Sequence, residues 1–274
     1  MSKTSSKQGQ SLGDAIRSTM NVVAILAAAV VCVLVFMYVM GNPINFEGGN
    51  PAGHPKQGNY LGMAYKGGFV VPILMTINLV LIIFTIERLI SLATVRGKDK
   101  LNVFVKKIQD SLDAGKIDEA ITSCDKQKGS VGNVVKAGLI RYRDLMSDPN
   151  LNKDQKILSL QKEFEEATAL ELPTLSRNVV IISTIASISV LFGLLGTVLG
   201  MIRAFAALAT SGTPDAVALS TGISEALINT AFGIAGSLLA IMMFNYFSTR
   251  IDNITYKMDE VGFSLVQSFA ASTH

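Results

Sequence analysis

The chain has 274 residues, 49% of them apolar and only 16% charged, with a mean hydropathy of +0.42 and a net charge of +3. Those values are too apolar for an ordinary soluble domain and describe a membrane protein with a sizeable polar portion. A nucleic-acid partner has no support: the basic residues of the middle of the chain are interspersed with thirteen acids between Asp99 and Glu171.

Charge placement gives a topology. Sixteen of the twenty-four Lys and Arg lie between Arg88 and Arg177, whereas Met40–Gly68 holds only Lys56 and Lys66, and Ala204–Glu225 holds none. By the positive-inside bias the basic stretch is cytoplasmic and the other two loops lie on the far side. Cys32 and Cys124 then fall in a membrane segment and a cytoplasmic one, so a structural disulfide is not expected.

The first apolar run is Val22–Met40, preceded by Lys3, Lys7 and Arg17. Nineteen residues suffice to cross a bilayer at about 1.5 Å per residue. The competing reading is a signal peptide, but the run exceeds the usual apolar core of one and lacks an A-x-A cleavage site, so a retained anchor is the reading preferred here. Gly41–Gly68 is rich in Gly, Asn and Pro and reads as irregular. The second crossing, Phe69–Ile90, ends at Glu87-Arg88, where opposite charges can pair at the interfacial layer.

From Ser91 to Leu172 the pattern is that of soluble helices. Val103, Phe104, Ile108 and Leu112 recur at helical spacing, Gly115 interrupts, and Ile117, Ala120, Ile121 and Cys124 resume the period. A further helix over Gly132–Met146 and a Ser-Asp-Pro-Asn-Leu-Asn break precede a charged helix from Lys153 to Glu171. That helix is expected to run into the third apolar run without a loop, with Pro173 bending the junction.

The last two runs, Asn178–Ile202 and Ala216–Thr249, differ in texture. The second carries one ionisable side chain, Glu225. A charge in hydrocarbon costs about 2.5–3.5 kcal/mol on insertion scales, so it survives where it faces a bundle interior, a partner or an ion path. Glu225, Asn229, Gly233, Gly236 and Ser237 follow steps of three and four residues and share one stripe, with Thr230 beside it. Ser189, Gly193, Gly196 and Gly200 make a similar smooth strip with Thr197 at its edge. Two readings stay open: close helix packing, which small residues allow in lipid, or an interior path lined by hydroxyls and an amide. His54 and the terminal His274 are the only histidines, and there is no G-x-x-x-x-G-K-[ST] loop, so neither a metal or cofactor site nor ATP hydrolysis is expected, and the chain is not read as an enzyme.

The run Leu191-Phe-Gly-Leu-Leu-Gly-Thr-Val-Leu-Gly-Met-Ile-Arg-Ala-Phe205, followed by Gly222-Ile-Ser-Glu-Ala-Leu-Ile-Asn-Thr-Ala-Phe-Gly233 and Asn245, resembles the signature of the MotA/TolQ/ExbB proton-channel family, most closely its ExbB branch. Phe164-Glu-Glu-Ala-Thr-Ala-Leu-Glu-Leu-Pro-Thr-Leu175, Glu87-Arg88 and Asp113-Ala-Gly-Lys-Ile-Asp-Glu-Ala120 extend the likeness over roughly residues 70–250. Val190 and Leu239 stand where relatives commonly have proline, and Val22–Met40 is an extra crossing relative to three-helix members.

The resemblance implies an all-α integral membrane protein of the bacterial inner membrane with four membrane helices, a cytoplasmic helical domain and long helices extending from the membrane. Its expected parts are a cytoplasmic tail over 1–20, membrane helix over 21–41, periplasmic loop over 42–68, membrane helix over 69–92 and cytoplasmic domain over 93–175. A pore-lining helix over 176–210, periplasmic loop over 211–216, pore-lining helix over 217–250 and cytoplasmic helix over 251–274 complete it. It also implies a homo-oligomeric ring, a pentamer in this branch, set in membrane lipid around an ExbD-like single-span protein and working on a TonB-like protein. Thr197 and Thr230 would face that partner's proton-carrying aspartate. Glu225 matches the family's membrane glutamate, in a channel or packing role. Asn229, Ser189, Gly193 and Gly233 complete the expected pore lining.

Overall fold

The structure is a computed structural model and describes Thr19 and residues 22–51, 53–95, 97, 101–210 and 216–272. The expected tail over 1–20, Thr19 apart, and the loop over 211–215 lie outside the described residues. Nine α-helices are described: α1 Val22–Met40, whose last residues Val35–Met40 are π-helical, α2 Tyr60–Tyr65, α3 Val70–Val95, α4 Leu101–Asp113, α5 Ile117–Gln127, α6 Gly129–Met146, α7 Lys153–Ser176, α8 Val179–Thr210 and α9 Ala216–Ser272. No strand occurs among the described residues, only an isolated bridge between Phe46 and Pro55. Four of these helices, α1, α3, α8 and α9, are long and apolar enough to cross a membrane. The chain is an all-α, multi-pass membrane protein.

The residues group into two units. The first comprises residues 1–84 and 181–242. In it α8 and α9 present exposed apolar faces, including Leu194, Val198, Leu227, Ile234 and Leu238, as expected of side chains that meet lipid or neighbouring helices instead of water. The segment 41–68, irregular in sequence, is tied down by amides. Buried Asn45 donates through Nδ2 to the carbonyls of Val39 (2.8 Å) and Met40 (3.0 Å) at the end of α1, satisfying acceptors a helix terminus leaves open. Asn59 donates to Asn45 Oδ1 at 3.0 Å and caps α2 by accepting from Gly62 N. Phe46, fully buried, meets Tyr65 edge-on, and Tyr65 stacks on Phe36 at 4.8 Å between ring centres.

The second unit comprises residues 85–180 and 243–274. Its core is drawn from α4 to α7 and the last part of α9. Phe104, Ile108 and Leu112 of α4 and Ala120 and Cys124 of α5 are all buried, as their spacing requires. Along α9 the buried residues Phe247, Ile251, Ile254, Met258, Val261, Leu265 and Phe269 recur at three- and four-residue steps, so α9 keeps one face covered well beyond its apolar run. Phe269 meets Tyr142 of α6 edge-on, with ring centres 4.8 Å apart. A capping box opens α7: Asn152 Oδ1 accepts from Gln155 N at 2.8 Å, and Gln155 Oε1 accepts from Asn152 N at 3.1 Å.

The junction of α7 and α8 departs from the sequence expectation. The helix runs through Pro173 to Ser176 and breaks at Arg177 and Asn178, the latter in the left-handed region at φ 58°. Asparagine tolerates that conformation better than most residues. Arg88, 2% exposed, secures the break: it forms a 2.7 Å ion pair with Glu87 and donates to the Leu175 carbonyl at 3.4 Å, while Asn178 donates to Glu87 at 3.2 Å. The pairing of Glu87 with Arg88 was legible in the sequence, and its service to a helix end was not.

Candidate functional site

The smooth strips of α8 and α9 face each other inside the first unit. A side chain at Gly200 would lie 2.8 Å from Ala226 N and Gly222 O, and one at Gly193 would lie 3.0 Å from the Cα of Gly233. One at Gly222 would meet Ala204 at 2.7 Å, and Gly196 has Asn229 in the corresponding place. Gly193, Gly200 and Gly222 therefore admit the facing backbone and Gly196 admits the Asn229 side chain, and the seam is close helix packing of the kind small residues permit in lipid. Gly193 and Gly233 are in close contact with each other across the seam.

The polar residues of the stripe divide. Ser189 and Asn229 are fully buried, and Ser237 is nearly so. Asn229 donates through Nδ2 to the Gly67 carbonyl at 2.9 Å, while its Oδ1 and the Ser189 hydroxyl find no partner among the described residues. Ser189 lies with Asn78 of α3 beside Gly236, where any larger side chain would strike both. Within the chain, then, Ser189, Gly193, Asn229 and Gly233 sit in the seam itself.

Thr197 and Thr230 are placed otherwise. Both are half-buried at the edge of the seam, and their hydroxyls are hydrogen-bonded to each other across it. Thr197 Oγ1 lies 3.2 Å from the Gly193 carbonyl and 3.4 Å from that of Ala226, and Thr230 Oγ1 lies 3.2 Å from the Ala226 carbonyl. This is a compact polar patch flanked by exposed Leu194, Val198 and Leu227. A helix lying along that edge would meet two hydroxyls on an otherwise apolar wall.

Glu225 is 5% exposed and ion-paired with Arg203 of α8, a residue the sequence reading did not single out. Arg203 is half-exposed and lies over the Phe69 ring, 5.5 Å from its centre. The carboxylate occupies the space where a side chain at Gly68 would go, and Gly68, at φ 72°, is in a conformation that suits glycine. Glu225 and Asn229 thus both hold the Gly67–Gly68 turn at the start of α3. The signal for Arg203 was available: it is the lone cation at the end of the third apolar run, inside the motif from Leu191 to Phe205. Asn78 was equally visible as a lone amide in the second run.

The comparisons with known proteins agree with this architecture. Residues 127–260 match the model of the MotA/TolQ/ExbB proton channel family. The Tol-Pal system protein TolQ of Pseudomonas aeruginosa is 28% identical over 154 residues, 56% of this chain and 67% of that protein. A putative biopolymer transport protein, ExbB-like 3, of Synechocystis is 40% identical over 86 residues, 31% of this chain and 41% of that protein. A putative biopolymer transport protein ExbB homolog of Methanothermobacter thermautotrophicus is 24% identical over 203 residues, 74% of this chain and 67% of that protein. The matched stretches thus span about two fifths to two thirds of these relatives. Over residues 127–260, which hold α6, α7, α8 and most of α9, the chain is similar to the MotA/TolQ/ExbB proton channel family.

Proposed function

We propose that the chain is a ring subunit of a proton-motive-force-driven motor of the inner membrane, in which α8 and α9 surround a single-span helix of an ExbD-like partner. The observation that carries the reading is the Thr197–Thr230 hydroxyl pair, half-buried at the edge of an apolar wall. Protons moving down the membrane potential gain about 2.3 kcal/mol per charge per 100 mV. A partner carboxylate in its charged form favours the hydroxyls, and once protonated it tolerates the apolar wall, so each proton shifts the guest helix toward the next subunit. The output is mechanical and passes to a TonB-like protein that opens outer-membrane transporters. The ring is a pentamer in this reading.

A TolQ-like role in the envelope uses the same core, and the likeness to the Tol-Pal protein of Pseudomonas aeruginosa supports it as the second reading; a flagellar or gliding stator is a more distant variant. A channel that works without a partner, with Glu225 as proton carrier, is the competing mechanism. Pairing of Glu225 with Arg203 favours a positioning role for the carboxylate instead.

Purification of the full chain from its native membrane tests the reading. The expected companion is a small single-span protein with a lone aspartate in its span, and Thr230→Cys should cross-link to a cysteine placed beside that aspartate. A ring that purifies without a guest and conducts protons in vesicles until Glu225→Gln abolishes the flux would establish the competing mechanism.

A further inference from the structure

Away from the α8–α9 seam, the second unit contains a cavity of about 470 Å³ lined by Leu89, Leu92 and Ala93 of α3, Asn102 of α4, and a face of α9 that includes Tyr246, Arg250 and Lys257. We infer that this cavity binds an anionic phospholipid of the cytoplasmic leaflet, its phosphate on Arg250 and the start of an acyl chain against Leu89, Leu92 and Ala93.

Depth is the first argument. Some 20 helical residues span the hydrocarbon of a bilayer. After Glu225 the uncharged run of α9 ends at Thr249, so Arg250 is the first cation after it, and the apolar stretch of α3 leaves the hydrocarbon near Glu87-Arg88. The cavity therefore joins two helices where each passes from hydrocarbon to headgroups. Tyr246 and Tyr256 at its margin are residues of that interfacial layer.

Charge is the second. Lys257 is paired with Glu260 at 2.5 Å. Arg250 is exposed and, among the described residues, has no carboxylate partner; its guanidinium lies over the Tyr246 ring, 5.2 Å from the centre. A stacked, planar donor with its fork free is suited to the two oxygens of a phosphodiester. The third argument is the wall opposite. Leu89 and Ala93 are exposed apolar residues facing a slot that holds a cation, an arrangement that fits an amphipathic ligand better than a free anion or a purely apolar one. A basic pocket between helices on the cytoplasmic side is what recognises acidic headgroups.

The test uses the full chain in nanodiscs of phosphatidylcholine with or without phosphatidylglycerol, reading bound lipid by native mass spectrometry. Wild type should retain phosphatidylglycerol over phosphatidylcholine by about fivefold, the preference one basic residue gives at a membrane surface. Arg250→Glu should remove the preference and Arg250→Lys should keep most of it. Ala93→Trp, which fills the apolar end of the slot, should weaken retention with Arg250 intact. Equal retention of the two lipids by wild type, an unchanged preference in Arg250→Glu, or loss of the bound phosphatidylglycerol to added inorganic phosphate would each overturn the inference. So would a cross-link from Arg250→Cys to a second protein chain in place of lipid. None of these outcomes bears on the hydroxyl pair of α8 and α9.

Discussion

At the scale of single residues, the pairing of Glu225 with Arg203 decides how a lone acid in a membrane helix is read. From sequence, Glu225 stood out because an ionisable group in an apolar run needs a reason to be there. Its reason in the fold is a partner on α8 and a glycine turn ahead of α3. Removing one member of a buried ion pair costs about 3–5 kcal/mol. Arg203 is half-exposed and water screens it, so Arg203→Ala should cost about 2 kcal/mol, seen as a lower melting temperature of the purified protein. Arg203→Ala combined with Glu225→Gln should be milder than the sum of the two, since both charges leave together. Additive losses would show that the two side chains act separately. The acid was legible and its partner was not, because Arg203 reads in sequence as the polar end of a run. Only folding shows that the end of α8 lies against the start of the next apolar helix.

At the scale of helices, the seam between α8 and α9 is a backbone contact, and its glycines are needed for their missing side chains. Gly200→Ala would push a methyl group to within 2.8 Å of the facing backbone, which cannot give way as a flexible side chain can. A loss of about 1–3 kcal/mol is expected, the usual cost of overpacking, while Leu194→Ala on the exposed face should change stability by about 0.5 kcal/mol or less. Comparable melting temperatures for the two variants would place the seam elsewhere. In the second unit, burial pushes the Cys124 thiol up from its ordinary 9.0 to about 12. The thiol is neutral when protonated, so its contribution to stability is full below about pH 9 and is lost as the pH rises from there through about 12. In a Cys32→Ser background, maleimide labelling of Cys124 at pH 8 should be at least about tenfold slower in the native protein than after denaturation, because the thiolate is the reacting form. Equal rates would contradict a buried, packed α5. The helical period of α4 and α5 was plain in sequence, but a junction without a loop, bent at Pro173, was expected where the chain breaks after Ser176. Pro173 stays inside the helix, and the break falls at Arg177 and Asn178, beside the Leu175 carbonyl that Arg88 holds and with Asn178 bonded to Glu87.

At the scale of the whole molecule, the four apolar helices and the helical polar part follow from hydropathy and period alone, which are strong signals because a bilayer admits few backbone solutions. The compactness of segment 41–68 does not, since it depends on amides such as Asn45 and Asn59 that reach particular carbonyls and carry no periodic mark. Likewise the stripe on α8 and α9 could be read from spacing, but spacing cannot tell a seam from a channel wall. In the fold Gly193, Gly233, Ser189 and Asn229 lie in the seam, and Thr197 and Thr230 half-buried at its edge. The proposed motor stands on that edge. The most direct test is uncoupler-sensitive, energised transport in cells whose only copy of the subunit is Thr197→Val or Thr230→Val, with assembly of the oligomer checked in the same membranes. The proposed motor requires activity to fall by about tenfold or more in each variant, the effect of about 1.4 kcal/mol or more on the driven step, with the oligomer intact. Wild-type activity from both variants would contradict it.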